Sequence, residues 1–236
     1  ALWAVRRDRL RTAAAVADLA GPDPTRSAVE AFCSVQAALS ALDRLEVRGR
    51  DSAGLTLLVR GHGLEIDDPG VAALVAGRAD DALFTAGAVR FTPEGHLSLV
   101  YKAAAEIGEL GDNTRVLRDA IRDDALLHRA LLAEDAEVTV LGHTRWASIG
   151  IISQPNAHPM NSDEVHRTDG PYVTAALNGD VDNFADLKVA DELHIAAEIT
   201  SDAKVIPTLV SRRLGAGDDS VEAFRQTVGR FDGSVA

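Results

Sequence analysis

Two strand-length runs each end on a turn loaded with polar and charged side chains, and any fold for this chain has to place both turns at strand ends. Glu137 to Gly142 reads as a strand delivering His143-Thr144-Arg145-Trp146, and Tyr172 to Leu177 as a strand delivering Asn178-Gly179. Between them, Ala147 to Tyr172 is loop-rich, with Pro155, Pro159 and Pro171; long ordered loops often cover sites. Helical patterning surrounds these runs. Residues 4–20 read as a helix closed by Gly21-Pro22-Asp23-Pro24, and a second helix runs toward Leu45 with Ser27 and Glu30 in capping-box spacing. Thr114 to Leu132 repeats Val116, Leu117, Ile121, Leu127 and Leu131 at near-helical spacing, and Val221 to Val228 closes the series. Leu55 to Val59 reads as a strand, Gly61-His62-Gly63 as a turn, and Ala88 to Tyr101 as a hairpin around Thr92-Pro93-Glu94-Gly95. The Asp- and Ala-rich stretch through Ala86 takes no assignment. Strands interleaved with helices and hairpins point to an α+β or layered architecture.

At 236 residues and 46% hydrophobic content the chain has enough material for one well-buried core. A formal net charge of −12 argues against nucleic-acid binding, because no basic stripe interrupts the acidic balance. Arg6-Arg7-Asp8-Arg9-Leu10-Arg11 is the exception and reads as the solvated face of a helix. The alanine-rich segment after it contains Asp18 and reads as helix rather than leader, and no apolar run is long enough for a membrane span. A single cysteine excludes an internal disulfide and fits a cytoplasmic protein. No metal is expected: the seven histidines form no close pair with an acid between, and Asp180-Val181-Asp182-Asn183 lacks the downstream glycine and glutamate of a calcium loop.

The residues at the strand ends suit a small zwitterion. Arg145 offers a planar fork of donors for a carboxylate, and Trp146 a rigid apolar wall. Asn178-Gly179 can aim a side-chain amide and a backbone N–H at one point, as stabilising an oxyanion in acyl transfer requires. The plainer readings are a hairpin turn for Asn-Gly, a surface ion pair for Arg145 and a helix N-terminal acid for Asp202.

Arg48-Gly49-Arg50-Asp51-Ser52-Ala53-Gly54, the Gly142 to Gly150 block with Asn156-Ala157-His158-Pro159, Asn178-Gly179 with Asn183, and Ser201-Asp202-Ala203-Lys204-Val205-Ile206 occur in the order and approximate spacing of a known family. The chain resembles the class II glutamine amidotransferases, in particular the glutaminase domain of glutamine–fructose-6-phosphate aminotransferases. The resemblance implies a four-layer αββα sandwich, the N-terminal-nucleophile hydrolase fold, over residues 1–236. It implies hydrolysis of L-glutamine to glutamate and ammonia, without a cofactor. Ammonia would pass to an acceptor, fructose 6-phosphate in glucosamine 6-phosphate synthesis, held by a sugar isomerase domain for which this chain has no room. By the same resemblance Arg145 binds the α-carboxylate, Asp202 the α-ammonium, and Asn178 with Gly179 forms the oxyanion hole. Trp146 and Ser148 line the pocket and Arg48 helps organise its floor. Assembly as a homo-oligomer stays open.

The departures from the family matter as much. The family's nucleophile is a cysteine at the mature N-terminus, acting with its own α-amine. This chain begins Ala1-Leu2-Trp3, and Cys33 sits in a helical stretch, where it reads as a small buried apolar side chain. Two accounts stand side by side. In one, Ala1 to Val5 is the tail of a strand and Phe231 to Ala236 a strand cut short, so that the fold is truncated at both ends and a cysteine precedes Ala1. In the other, the domain binds glutamine or serves as a scaffold without hydrolysing it. Ile149, Met160 and Leu177 replace polar family residues around the site, Lys204 replaces a glutamate, and Pro207 is expected to kink the helix that starts near Ser201.

Overall fold

The computed structural model describes residues 2–78, 85–104, 109–147 and 149–235. In chain order these form α1 (Leu2–Ala20), α2 (Arg26–Leu45), β1 (Ser52–Arg60), α3 (Pro69–Arg78), β2 (Val89–Phe91), β3 (Leu97–Ala104), α4 (Asp112–Arg122), α5 (Ala125–Ala130) and β4 (Glu137–Arg145). The second half adds β5 (Met160–Asn161), β6 (Thr174–Ala175), β7 (Gly179–Val181), α6 (Phe184–Ala190), α7 (Val205–Gly215), α8 (Ser220–Val228) and β8 (Gly233–Val235).

The mixed α+β reading holds at this level. Strands β2, β3, β1 and β4 form one antiparallel sheet in that order, with two-stranded ladders β5–β6 and β7–β8 beside it. Because alternate residues of a strand face opposite sides, Ala53, Leu55, Leu57 and Val59 of β1 and Leu97, Leu99 and Tyr101 of β3 point one way. They meet Val16 and Leu19 of α1, Phe32, Val35, Leu39 and Leu42 of α2, and Leu117 and Ile121 of α4 in one continuous core. Each of these large side chains contributes about 1.5–3 kcal/mol by leaving water. The opposite face carries a different set. The register puts Ser52 beside Arg145 and sets His143, Gly54 and Lys102 in one row across β4, β1 and β3. Over this face lies the second half of the chain, with its own core of Met160, Leu177, Val181, Ile199, Val205, Ile206 and Leu209. Ser98 and Tyr172, 2.9 Å apart, and Arg90 and Asp163, 3.4 Å apart, stitch the two halves together.

Several expectations are corrected. Leu2 to Val5 belongs to α1 and is not the tail of a strand. The cap of α2 is Thr25, extended and accepting the Ala28 N–H, while Ser27 lies in the first turn and donates to the Ala133 carbonyl. Cys33 is helical as expected but exposed, on the outer side of α2. The expected helix over Thr114 to Leu132 is two helices, because Asp124 leaves the helical path, caps α5 through the Leu126 and Leu127 N–H groups, and holds Arg78 and Tyr101. Tyr172 to Leu177 is strand only at β6. Pro207 does not break a helix: a 3-10 turn spans Asp202–Lys204 and α7 begins at Val205, which puts the proline in the first turn, where its missing N–H has no intrahelical partner to lose. Helix α3 occupies part of the stretch that took no assignment. No helix among the described residues is long and apolar enough to cross a membrane.

Candidate functional site

Arg145 closes β4, and the Arg48–Gly54 block positions it from both sides. A side chain on Gly49 would come within 3.0 Å of the Arg145 and Thr144 backbone, so glycine is what allows the approach. Two residues on, the Asp51 carboxylate accepts the Ala147 N–H at 2.9 Å and fixes the chain as it leaves the strand. The Arg145 guanidinium is buried and donates to the carbonyls of Ile149 and Ile151. Burial lowers its pKa, and the charges of Asp202 and Asp51 push it back up. Neither carboxylate forms an ion pair with it. The charge of Asp202 therefore acts on Arg145 without an ion pair between them.

Asp202 opens the 3-10 turn that leads into α7, and its Oδ2 accepts the Val181 N–H at 2.7 Å. Burial raises its pKa, opposed by the Val181 and Ala203 N–H groups and assisted by the nearby charge of Asp180. The Asn178 corner lies immediately before Val181. Asn178 and Gly179 are exposed, and Gly179 takes φ of 139°, a region that excludes a side chain at little cost only in glycine.

Two buried residues tie these pieces together. Asn156, fully buried, accepts the Thr200 N–H at 2.7 Å and the Ser201 N–H at 2.8 Å, and donates to Ser153 Oγ and the Glu198 carbonyl. This locks the loop that enters Asp202. His158 accepts the Leu177 N–H at Nδ1, 3.4 Å away, which places its proton on Nε2, facing Ser201 Oγ at 3.2 Å. One imidazole thus joins the residue before Asn178 to the residue before Asp202. Its main chain lies directly over Gly54, where a Cβ would overlap the His158 carbonyl oxygen. The ring lies 4.8 Å from that of His143, tilted by 36°. Burial holds both imidazoles below their ordinary pKa. Arg145 adds to the effect on His143, and the charges of His143, Arg145 and Lys102 add to it on His158. Both are neutral at pH 7.

No family model matches the chain. A glutamine–fructose-6-phosphate aminotransferase (isomerizing) of Mesorhizobium japonicum is 39% identical over 114 residues, covering 47% of this chain and 17% of the relative. The same enzyme of Caulobacter vibrioides is 32% identical over 139 residues, covering 58% of this chain and 21% of the relative. That of Chlamydia pneumoniae is 27% identical over 154 residues, covering 59% and 24%. The chain is similar to glutamine–fructose-6-phosphate aminotransferases. It spans about a fifth of their length, and the similarity supports a domain of glutamine amidotransferase type.

Against this aminotransferase resemblance the expected site residues fall into groups. Arg145 and Asp202 are brought together as buried, mutually attracting charges, and Asn178-Gly179 sits between two segments anchored to Asp202 and His158. Trp146 stands 74% exposed beyond the end of β4, and the Arg48 side chain is exposed in a 3-10 turn. Ser148 lies outside the described residues. The larger cavities, about 700 Å³ beside α1 and about 460 Å³ beside α3 and α4, are lined by other residues. Asp51, Asn156 and His158 were present in the sequence blocks but carried no assigned role. Their signal is a polar side chain inside a segment of glycine, alanine and proline, which folds inward only if its hydrogen bonds are met.

Proposed function

We propose that residues 1–236 form the glutaminase domain of a glutamine-dependent amidotransferase. Arg145 takes the α-carboxylate of L-glutamine, Asp202 its α-ammonium, and Asn178 with Gly179 the oxyanion formed at the side-chain amide. By the same resemblance Trp146 lines the pocket and Arg48 helps organise its floor. The observation that carries this reading is a pair of buried opposite charges: Arg145 feels the charge of Asp202 with no ion pair between them, and Asp202 holds the Val181 N–H, three residues beyond Asn178. A free α-amino acid bridges such a pair with a charge-assisted hydrogen bond at each end. Its α-carboxylate would replace the Ile149 and Ile151 carbonyls on Arg145.

Hydrolysis needs a thiolate beside the amide carbon. Cys33, in mid-helix on the outer side of α2, has no α-amine to manage the proton. The reaction therefore calls for a cysteine with a free N-terminal amine, which the sequence given does not contain. Attack gives a thioester and releases ammonia, and water then releases glutamate. Fructose 6-phosphate, bound by a sugar isomerase domain, is the acceptor we favour by analogy with the named relatives. The arrangement of α1 and α2 over the four-stranded sheet, with short strands and α7 beyond, is consistent with the αββα sandwich.

Glutamine titration calorimetry on this chain tests the binding half: saturable binding is expected, weakened at least 30-fold by Arg145→Ala and by Asp202→Asn, since losing one partner of a desolvated charged contact costs about 2–5 kcal/mol. No binding to the wild-type chain overturns it. Treating the intact natural protein with an electrophilic glutamine analogue tests the chemistry. An adduct at an N-terminal cysteine is expected, and binding without adduct or ammonia release would refute hydrolysis.

A further inference from the structure

Lys102 of β3 and Lys204, in the turn before α7, are both buried against one small cavity between the sheet and the second half of the chain. Thr56, Lys102, Met160, Asn161 and Lys204 are among its walls, and it has about 10 Å³ for the centre of a water-sized particle, enough for one. The two ammonium groups differ in what surrounds them. Lys204 uses all three protons, on Asn161 Oδ1 and the carbonyls of Asn161 and Asp163, and the charges of Asp163 and Glu164 act on it favourably. The Lys102 ammonium, on a residue 3% exposed, has no hydrogen bond or ion pair among the described residues. The charged or titratable groups that act on it or that it acts on are Lys204 and His158, both bases. Thr56, also 3% exposed, brings a hydroxyl to the same wall with no described acceptor.

We propose that this cavity is a binding site for a small monovalent anion of about the size of chloride, held by the Lys102 ammonium and the Thr56 hydroxyl in the field of Lys204. The chemistry follows from what is missing. A buried ammonium without a counter-charge is strongly disfavoured, and here a second ammonium faces the same space. Without an anion, burial and Lys204 bring the Lys102 pKa down to about 7, leaving a half-neutral amine. A bound halide removes that penalty. The site is independent of the glutamine reading.

Thermal unfolding of the chain in sodium chloride and sodium gluconate at matched ionic strength and pH 6.5 tests the proposal. The expected result is a saturable rise of a few degrees in chloride, reproduced by bromide, reduced in Thr56→Val and absent in Lys102→Met. Equal melting of the wild type in both salts, or an undiminished chloride effect in Lys102→Met, overturns it. Crystals of the wild-type chain soaked in bromide give a readout that needs no variant: an anomalous peak beside Lys102 Nζ supports the site, and a peak-free cavity refutes it.

Discussion

Gly54→Ala is the sharpest test of how the site is built. A Cβ at this position would sit about 1 Å inside the 3.4 Å at which ordinary contact with the His158 carbonyl oxygen begins, and 3.2 Å from both the His158 carbonyl carbon and the Tyr101 oxygen. The obstacle is main chain on both sides, so no side-chain rotation relieves it. β1 lies between β3 and β4, paired to β3 from Ser52 to Val59 and to β4 from Ser52 to Arg60, so it cannot retreat without breaking two ladders. The strain falls on the 156–159 segment, which Asn156 and His158 anchor to the loop before Asp202. Overpacking of this kind costs about 1–3 kcal/mol, and with two backbone segments opposed we expect the upper end. For a chain of this length that lowers the melting temperature by about 6–12 °C. Gly77→Ala, which meets nothing within 4 Å in α3, serves as the matched control and should lose no stability. Paired urea and thermal denaturation of the two variants read the difference. If Gly54→Ala melts within a degree of wild type, the placement of His158 over β1 is wrong, and with it the link between the Asn178 and Asp202 segments.

Asn156→Ala leaves the buried Ser201 N–H and the part-buried Thr200 N–H without their acceptor and should destabilise by about 2 kcal/mol, measured by urea denaturation; a loss below about 0.5 kcal/mol would count against the network. The histidine pair predicts a pH dependence. The unfolded chain takes up protons at about pH 6.5 while the folded imidazoles resist them, so stability is complete above that pH. It falls as the pH drops through the window toward their depressed values, by up to about 1.4 kcal/mol per pH unit for each imidazole. His158→Gln should flatten this slope in melting curves between pH 7 and 5, and an unchanged slope would refute the assignment. The raised carboxyl pKa values of Asp163 and Asp202 act in the opposite sense, nearer their ordinary 3.8.

How much was legible follows the range of the physics involved. Periodicity located α1, α2, the β2–β3 hairpin, β4 and α8 because amphipathic repeats and turn residues are local signals. It merged α4 with α5 because the apolar repeat continues across Asp124, and what breaks the helix there is a distant demand from Arg78 and Tyr101. It placed Cys33 in the core because cysteine usually packs inside, yet the buried stripe of α2 runs through Phe32, Val35 and Leu39 and leaves position 33 facing out. The pairing of Arg145 with Asp202 came from family resemblance together with charge logic, not from periodicity. The buried lysines had no sequence signature beyond Lys204 standing where the family has an acid. Their isolation depends on which carboxylates arrive from other elements.

If Arg145 receives a ligand as proposed, the two carbonyls of its own chain that it already holds would make it a selective receptor. A newcomer gains only the difference between its bonds and those it displaces, so a neutral amide or alcohol offers Arg145 too little, whereas a carboxylate with its full charge and matched fork outbids the peptide oxygens. On the proposed glutamine reading, affinity for the α-carboxylate would be governed by how firmly residues 149–151 hold their carbonyls on Arg145. The hydroxyl of Thr200, which accepts the Ile151 N–H at 3.2 Å, becomes a tuning point that touches no ligand.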